Sequence, residues 1–322
     1  MPLKRAAMVL AGTVAVIAVA AGSAEGACTV QAASDAAFGA ETSFVVRDVS
    51  RQTSTTNAGL VCSGAILSVL GSGDHVYATI SSANGGLRGP GGDLVGYTIY
   101  GDSTTTYPIP IGVQFDYATG QLLNLLGLFG GPTVSLPMFF RTTPGANVVA
   151  GTYTDTITIS WGWNYCPGVL VAGICLLGRD EGGGQATFQL TLTVTDTCAI
   201  TSTPDVSFGT AAVASSFTAV GDQIGIVCTK GLLDYSVGIS GGQHAAGQTR
   251  RMWSGNGYLE YDVYKGATQE VWGWVGSARV APAAPANGLL PQQFPYTLRI
   301  RLPQPTPPVG VYQDVLIVDV TF

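Results

Sequence analysis

The 322-residue sequence has few charged side chains and no cluster of basic ones. Asp, Glu, Lys and Arg together make up 11% of the residues, and the formal net charge is −6 at pH 7. Proteins that bind nucleic acid concentrate Lys and Arg on one face or along one segment. We therefore expect no nucleic-acid partner.

Histidine is also scarce, and the motifs of common catalytic and metal sites are missing. His75 and His244 lie far apart in the chain. The sequence has no Cys-x-x-Cys pair, Gly-x-Ser-x-Gly elbow, His-Glu-x-x-His motif or phosphate-binding glycine loop. Glycine-rich segments 85–92 and 181–185 separate strand-like stretches, where turns explain them. We expect no enzyme, metal or cofactor, and we assign no catalytic residue.

Helical periodicity is nearly absent as well. Short segments instead alternate apolar and polar residues and are separated by Gly, Pro and Asn, which is typical of all-β sandwiches. Strands are predicted near residues 43–49, 76–81, 94–100, 133–141, 153–163 and 186–195, and then near 223–228, 233–239, 257–264, 296–302 and 312–322.

Residues 1–26 have the pattern of a secretory signal peptide. Lys4 and Arg5 precede an Ala-rich apolar run, and small residues suited to cleavage follow near Ala24. A membrane anchor is disfavoured because the run is barely long enough and has no charged stop after it. A lipid-attachment site at Cys28 is disfavoured because Glu25 stands where that motif has an aliphatic residue. We expect secretion through the periplasm.

Four landmarks occur twice in the same order. They are a Cys followed ten residues later by Phe-Gly, a second Cys, a Tyr-x-x-Tyr pair and a Gly-x-Tyr-x-Asp motif. The equivalent residues are Cys28/Cys198, Phe38/Phe208, Cys62/Cys228, Tyr97/Tyr261, Tyr100/Tyr264 and Asp155/Asp314. We predict two copies of one domain, residues 27–197 and 198–322.

The six cysteines of an exported chain are expected to be paired. Equivalence between the copies selects Cys28–Cys62 and Cys198–Cys228. The remaining pair is Cys166–Cys175, a local link within the first copy.

Segment 186–195 predicts a strand with one buried face, because its apolar residues Phe188, Leu190, Leu192 and Val194 alternate with polar ones. It follows the Gly-x-Tyr-x-Asp strand of the first copy and can complete that domain. The second copy has no counterpart before the last residue. A sandwich short of one strand exposes a groove and unpaired edges, so we expect another chain's strand to fill it. Alternatively, the strand is dispensable there, or an earlier segment fills its place.

Three insertions in the first copy are apolar, although loops normally carry polar turn residues. For one such loop alone, folding back into the core is the simpler interpretation. Three in one copy and none in the other favour exposure. The candidate surface-binding residues are Leu122, Leu123, Leu125, Leu126, Leu128, Phe129, Val169, Leu170, Val171, Ile174, Leu176 and Leu177, with Ile66, Leu67, Val69 and Leu70 as a weaker third set.

The second copy resembles the spore coat protein U domain, the pilin domain of archaic (Csu-type) chaperone–usher pili. The resemblance rests on the Cys-x9-Phe-Gly motif from Cys198, Thr-Lys-Gly after Cys228, the run of residues 250–265, Trp272-Gly273 and the terminal PVGVYQDVLIVDVTF. The first copy keeps the landmarks but carries insertions. The resemblance implies immunoglobulin-like sandwiches that lack their last strand. It also implies a periplasmic chaperone, an outer-membrane usher and an adjacent subunit that donates the missing strand.

The same resemblance places this chain at the tip of a pilus on the cell surface. Few residues precede Cys28 after signal cleavage, so we expect a subunit that accepts a strand but donates none. In the tip adhesins that it resembles, apolar loops bind hydrophobic surfaces and start biofilms, which implies an abiotic or host hydrophobic surface as partner. The alternatives are a lectin-like tip with Trp161 and Trp163 lining a sugar site, and a secreted structural protein of the spore-coat type.

Overall fold

The computed structural model describes residues 28–63, 73–118, 133–166, 170–172, 174–176 and 178–322. The predicted signal peptide lies outside these residues. The described part of the chain is almost entirely β-structure, as the alternation of its sequence predicts. In the described residues, no helix is long and apolar enough to cross a membrane.

The strands between residues 28 and 195 form the first sandwich. They are β1 (Cys28–Val30), β2 (Ala36–Thr42), β3 (Gln52–Thr55), β4 (Leu60–Ser63), β5 (His75–Ser82), β6 (Leu87–Arg88), β7 (Leu94–Val95), β8 (Tyr97–Tyr100), β9 (Pro108–Ile109), β10 (Gln114–Asp116), β11 (Thr133–Ser135), β12 (Met138–Thr142), β13 (Gly151–Tyr165), β14 (Leu170–Val171), β15 (Ile174–Cys175) and β16 (Asp180–Thr195).

The strands from residue 198 onward form the second sandwich. They are β17 (Cys198–Ser202), β18 (Val220–Cys228), β19 (Ser236–Ile239), β20 (Arg250–Trp253), β21 (Tyr258–Lys265), β22 (Gln292–Ile300) and β23 (Val318–Thr321). The described helices are α1 (Ser43–Asp48) and the short 3-10 turns Pro90–Gly92, Ala214–Ser216 and Gly276–Ala278.

Each sandwich has its own sheets. In the first, one sheet has the order β10-β5-β13-β16-β2 with β6 and β7 attached, and it faces the sheets β1-β4-β11 and β3-β12-β8-β9. In the second, the sheets have the orders β17-β18-β22-β21-β20 and β19-β23. Aromatic rings join the facing layers; Phe140 of β12 and Phe188 of β16 have ring centroids 5.8 Å apart. Each sandwich also has a separate hydrophobic core.

The landmarks of the repeat occupy equivalent places in the two sandwiches. Cys28 lies opposite Cys62 and Cys198 opposite Cys228, and each pair is disulfide-bonded with its Cα atoms 4.0 Å apart. The third disulfide is the predicted link Cys166–Cys175. The glycines of both Phe-Gly motifs have left-handed backbone angles, with φ of 81° at Gly39 and 73° at Gly209. Glycine adopts this region without a steric penalty.

The Gly-x-Tyr-x-Asp motif fixes the same turn twice. The Tyr153 hydroxyl donates to the carbonyl of Val149 at 2.8 Å, and the Tyr312 hydroxyl donates to that of Pro308 at 2.6 Å. In each copy the aspartate accepts a hydrogen bond from a landmark tyrosine, at 2.7 Å from Tyr97 and 2.6 Å from Tyr261. The carboxylates also accept backbone N–H groups, so Asp155 and Asp314 each hold a neighbouring segment in place.

The strand predicted over residues 43–49 is wrong, because this segment contains helix α1. The Thr42 hydroxyl accepts from the Val45 N–H and caps the helix. The Ser43 hydroxyl is buried against that of Thr229, 2.8 Å away, and Val46 packs into the first core. Tertiary contacts on one side of the segment therefore override the strand preference of its valines.

Helix α1 and nearby loops join the two sandwiches at one end of the first. Two residues separate β16 from β17. Lys230 forms an ion pair with Asp93 at 2.6 Å, and the Arg47 guanidinium donates to the Gly288 carbonyl at 2.9 Å. The carboxyl of Asp93 is partly desolvated, which alone would raise its pKa, but hydrogen bonds from Lys230 and the Val149 N–H bring it below its ordinary value.

We predict that Leu190→Ala destabilises the first sandwich, because this side chain of β16 is fully buried in its core. The free energy of unfolding should fall by about 2–5 kcal/mol, from lost burial and the cavity left behind. Urea unfolding of the full chain measures this loss. Thr193→Ala, at an exposed position of the same strand, is the matched control and should lower the free energy by less than about 1 kcal/mol. Equal effects would contradict a buried role for β16.

Candidate strand-binding groove and apolar loops

Strand β16 has a strand partner on each side. It lies antiparallel to β13 along its whole length and parallel to β2. Its inward-facing side chains Phe188, Leu190, Leu192 and Val194 are at most 3% exposed. The strand therefore closes the first sandwich within the same chain.

The second sandwich has no strand at the equivalent place in its described residues. Residues 310–322 correspond to β13, and the segment around Phe208 corresponds to β2. Residues 203–213 form no strand, and only Val318–Thr321 of the predicted strand 312–322 forms one. A strand is defined by its hydrogen-bonded neighbours, so the missing partner explains why both segments are irregular.

The backbone hydrogen bonds of residues 310–322 all point to one side. Gln313 exchanges two with Trp253, at 2.9 and 3.1 Å, and the Ile317 carbonyl accepts from the Ser240 N–H at 2.9 Å. Successive residues of an extended chain direct these groups to opposite sides. The polar groups of Asp314 and Leu316 consequently face the side where β16 lies in the first sandwich.

The inward side chains of this segment are incompletely covered. Tyr153 and Ile157 of the first sandwich are 0% exposed, whereas the equivalent Tyr312 and Leu316 are half-buried. Phe208, on the opposite side, is also half-buried against the second core. We call the space between residues 203–210 and 310–320 the open groove. It has an apolar floor and two unpaired backbone edges.

The outer face of the same segment is apolar only in the second sandwich. Val311, Val315 and Ile317 are 61–77% exposed. The first sandwich has threonine at the three equivalent positions, 152, 156 and 158. Exposed aliphatic residues in a row are characteristic of a surface that a partner covers.

The wall of the open groove is held in place without a strand partner. The Asp314 carboxylate accepts from the Tyr261 hydroxyl and from the Gln243 N–H at 2.8 Å. Burial and the hydrogen bond to Asp314 raise the pKa of the Tyr261 hydroxyl, so it stays a donor at physiological pH. The groove is therefore anchored at the middle of its wall.

The three apolar insertions begin and end at one end of the first sandwich. Residues 64–72 join β4 to β5, residues 119–132 join β10 to β11, and residues 167–177 join β13 to β16. The strand ends involved are adjacent: Asn164 lies opposite His75, Tyr165 opposite Asp180, and Ser63 opposite Thr133. This end is opposite to the junction with the second sandwich. The structure thus brings the stems of all three predicted loops together.

A buried ion pair ties two of these stems to each other. Asp74, whose side chain is 3% exposed, lies 2.7 Å from the Arg179 guanidinium and accepts from the Cys166 N–H at 3.1 Å. Arg179 also donates to the carbonyls of Gly73 and Asn164, at 2.7 and 3.0 Å. We call this group the stem clamp. It links both sides of the third insertion to the residues that follow the first insertion.

Two further carboxylates hold the remaining stems. Asp116 accepts from the Ala118 N–H at 2.9 Å, from the Val76 N–H at 3.0 Å and lies 2.6 Å from His75 Nδ1. Asp180 accepts from the Tyr165 hydroxyl at 2.7 Å and from the Cys28 N–H at 3.0 Å. Each insertion is therefore flanked by an acidic residue that binds neighbouring backbone.

The third insertion is partly described. Strands β14 and β15 pair as a small hairpin, which the Cys166–Cys175 disulfide links to the end of β13. Val171, Ile174 and Leu176 are 50%, 67% and 62% exposed, as expected for a surface loop. The side chain of Leu170 and all of the other candidate residues lie outside the described residues: Val169, Leu177, Leu122, Leu123, Leu125, Leu126, Leu128, Phe129, Ile66, Leu67, Val69 and Leu70.

The sequence analysis did not identify Asp74 and Arg179 as functional residues. The available signal was positional, since Asp74, Asp116 and the Arg179-Asp180 pair each adjoin an apolar insertion.

The alternative in which Trp161 and Trp163 line a sugar site is wrong. The two side chains are 4% and 8% exposed, and the Trp161 indole donates to the Ala58 carbonyl at 2.9 Å. No group of three metal-ligating side chains occurs in the described part of the chain.

Comparisons with known proteins agree with this architecture. The sequence model of the Spore Coat Protein U domain matches residues 13–160 and 185–319. A chain of the CsuC–CsuE chaperone–tip adhesion subunit pre-assembly complex, from the archaic chaperone–usher Csu pili of Acinetobacter baumannii, is 25% identical; the match covers 92% of this chain and 100% of that one, with a TM-score of 0.59.

That structure places the fold among the immunoglobulin-like subunits of chaperone–usher pili, as predicted. The CupB6 tip adhesin of Pseudomonas aeruginosa is 12% identical over 92% of this chain and 94% of its own, and its TM-score of 0.30 supports no further conclusion. No match was found among curated protein sequences.

We predict that Asp74→Ala weakens the loop end of the first sandwich. The free energy of unfolding should fall by about 2–4 kcal/mol, because Arg179 and the Cys166 N–H lose a buried acceptor. Chemical denaturation of the full chain measures this. Asp48→Ala, which removes an exposed carboxylate from an ion pair with Arg47, is the control and should leave stability nearly unchanged. If Asp74→Ala loses no more stability than Asp48→Ala, the stem clamp does not stabilise this end of the sandwich.

Proposed function

The chain belongs to the Spore Coat Protein U domain family, and from this membership we propose that it is the tip adhesin subunit of an archaic chaperone–usher pilus. The observation that carries the proposal is the difference between its two sandwiches. The first is completed by its own strand β16, and the second has an open groove where that strand would lie. We assign residues 27–197 as the adhesin domain and residues 198–322 as the pilin domain.

In this proposal the open groove receives a strand from the adjacent pilus subunit. Strand β16 is the template for that strand, because it fills the equivalent place in the first sandwich. The donor should alternate apolar and polar residues and place its apolar side chains on the floor near Tyr312 and Leu316. Burial of each such side chain contributes about 1.5–3 kcal/mol, and the unpaired edges gain hydrogen-bond partners on both sides.

Before assembly, a periplasmic chaperone covers the groove, and an outer-membrane usher then exchanges it for the donor strand. The exposed outer face of Val311, Val315 and Ile317 supports this assignment, because an isolated protein avoids such a patch. The chain reaches the periplasm through the signal peptide of residues 1–26, and its disulfides suit that oxidising compartment.

The apolar loops bind abiotic or host hydrophobic surfaces. Their stems lie at the end of the first sandwich opposite its junction with the second, so a subunit joined through the groove presents the loops outward. Burial of about 400 Å² of apolar surface yields about 10 kcal/mol before the losses of immobilisation. That is enough for adhesion when many pili act together.

The two alternatives are distinguished by inhibition of adhesion. A lectin-like tip is inhibited by a soluble sugar, an apolar adhesin by mild detergent, and a structural coat protein by neither. The burial of Trp161 and Trp163 removes the aromatic surface on which the lectin alternative was based.

We predict that a copy of residues 185–197, fused after Phe322 through a short flexible linker, converts the exported chain to a stable monomer. The fused strand can return antiparallel along residues 310–322, as β16 does along β13. Size-exclusion chromatography and the yield of soluble protein in the absence of a chaperone measure the result.

The control fusion carries aspartate at the positions of Leu190 and Leu192 in the copied strand and should leave the chain aggregated. If the unfused chain is already a stable monomer, or if both fusions act alike, the groove is not a strand acceptor.

We also predict that charged substitutions in the loops abolish adhesion. Leu125→Asp, Phe129→Asp and Ile174→Asp, each made in the piliated cell, should reduce binding to polystyrene about tenfold or more, since a buried carboxylate opposes an apolar contact. Adherent cells are counted at equal pilus numbers, which electron microscopy provides.

Val113→Asp is the matched control, because Val113 is 54% exposed on the first sandwich but belongs to no insertion. Its adhesion should equal that of the parent. Loss of pili in the loop variants would show that the substitutions impair pilus assembly. Full adhesion by all of the variants would exclude the loops as the contact surface.

A further inference from the structure

We propose that the first sandwich has a second binding site, a polar cleft that takes an oligosaccharide bearing carboxylate or sulfate groups. The cleft has a volume of about 520 Å³ and lies on the outer face of the β3-β12-β8-β9 sheet. It is separate from the apolar loops and from the open groove. The inference goes beyond the proposed adhesion to apolar surfaces.

The lining of this polar cleft consists of arginine, hydroxyl and amide residues. Arg51 and Arg141 line it together with five polar residues, Ser50, Gln52, Ser103, Thr104 and Thr105. No carboxylate and no aliphatic residue lines it. Because Arg51 is paired with Glu41, Arg141 is the one cation of this lining without an ion-pair partner among the described residues, and many hydrogen-bonding groups surround it.

Arg141 provides the principal anion-binding group. Its Nε donates to the Ser50 hydroxyl at 3.1 Å, and one terminal nitrogen lies 3.5 Å from the Thr105 hydroxyl. No carboxylate in the described residues is within ion-pair distance of it. Arg51, by contrast, is paired with Glu41 at 2.7 Å. A planar guanidinium without a counter-ion suits a carboxylate or sulfate group, to which it can donate two parallel hydrogen bonds.

One wall of the cleft is preorganised. The buried carboxylate of Asp102 accepts from the N–H groups of Thr104, Thr106 and Tyr107 at 2.8–3.2 Å. Burial alone would raise the pKa of Asp102, but hydrogen bonds from the Thr104 hydroxyl and from these N–H groups hold it below its ordinary value. Thr105 adopts a left-handed φ of 56°, which is uncommon for a residue with a branched side chain. The wall keeps its shape before a ligand arrives, which lowers the entropy lost on binding.

The size and hydroxyl content of the site favour a saccharide. A second cleft of about 250 Å³ adjoins the first, shares Ser50 and Arg141, and adds Thr98, Tyr100, Thr142, Thr143 and Pro144. The two together form an extended surface with the cation near its centre. Hydroxyl and amide side chains complement sugar hydroxyls, and a tyrosine ring can pack on a sugar face. A nucleic acid is disfavoured, since the chain lacks the basic stripe and stacking aromatics that its binding requires.

Isothermal titration calorimetry of the full exported chain, kept monomeric by the fused copy of residues 185–197, tests this proposal with three probes. They are a heparin-derived tetrasaccharide, tetragalacturonate and the neutral maltotetraose. We expect one or both acidic probes to bind with a Kd below about 1 mM at low salt and more weakly at high salt, while the neutral probe does not bind. Binding of only one acidic probe identifies sulfate or carboxylate as the recognised group.

Arg141→Gln should weaken binding about tenfold or more, and Arg141→Lys should retain part of it, because lysine keeps the charge but loses the paired hydrogen bonds. Arg88→Gln removes the same charge from another exposed site of the first sandwich and should have no effect. Circular dichroism checks that the variants are folded. No binding of either acidic probe, equal binding of maltotetraose, or equal losses in the Arg141 and Arg88 variants would overturn the proposal.

Discussion

The structure depends on one requirement of β-sheets, that a strand inside a sandwich has hydrogen-bond partners on both sides. Strand β16 supplies hydrogen-bond partners to β13 and to β2. The Gly-x-Tyr-x-Asp segment of the first sandwich is a regular buried strand as a result. The same motif in the second sandwich lacks this neighbour, and most of it is irregular and half-exposed. One strand therefore separates a closed sandwich from one with an open groove.

The two ends of the first sandwich have different roles because of how its strands are connected. The junction end contacts the second sandwich through helix α1 and the Asp93–Lys230 ion pair. The opposite end carries all three insertion stems, held by the buried carboxylates of the stem clamp and its neighbours. Variation in loop sequence can thus leave the junction unchanged, since the strands of the first sandwich separate the two ends.

Much of the fold follows from the sequence because the evidence is local or duplicated. Period-two alternation predicts β16, and the repeated cysteines predict the disulfides. Helix α1 could not be predicted, because contacts with Thr229 and the first core decide its conformation. The stem clamp was missed because Asp74 and Arg179 are 105 residues apart in the chain. The alternative that placed Trp161 and Trp163 at a sugar site could not be excluded from the sequence, because alternation identifies two faces of a strand but does not show which one is covered.

Amide hydrogen exchange of the exported, strand-free chain, measured in dilute solution before it aggregates, tests the central claim most directly. The N–H groups of Asp314 and Leu316 face the open groove, whereas those of the equivalent Asp155 and Ile157 face β16. We expect the first pair to exchange at least about a hundredfold faster than the second, and to become protected when a complementary strand is supplied. Equal protection of both pairs in the strand-free chain would show that the second sandwich is already complete, and would contradict the account.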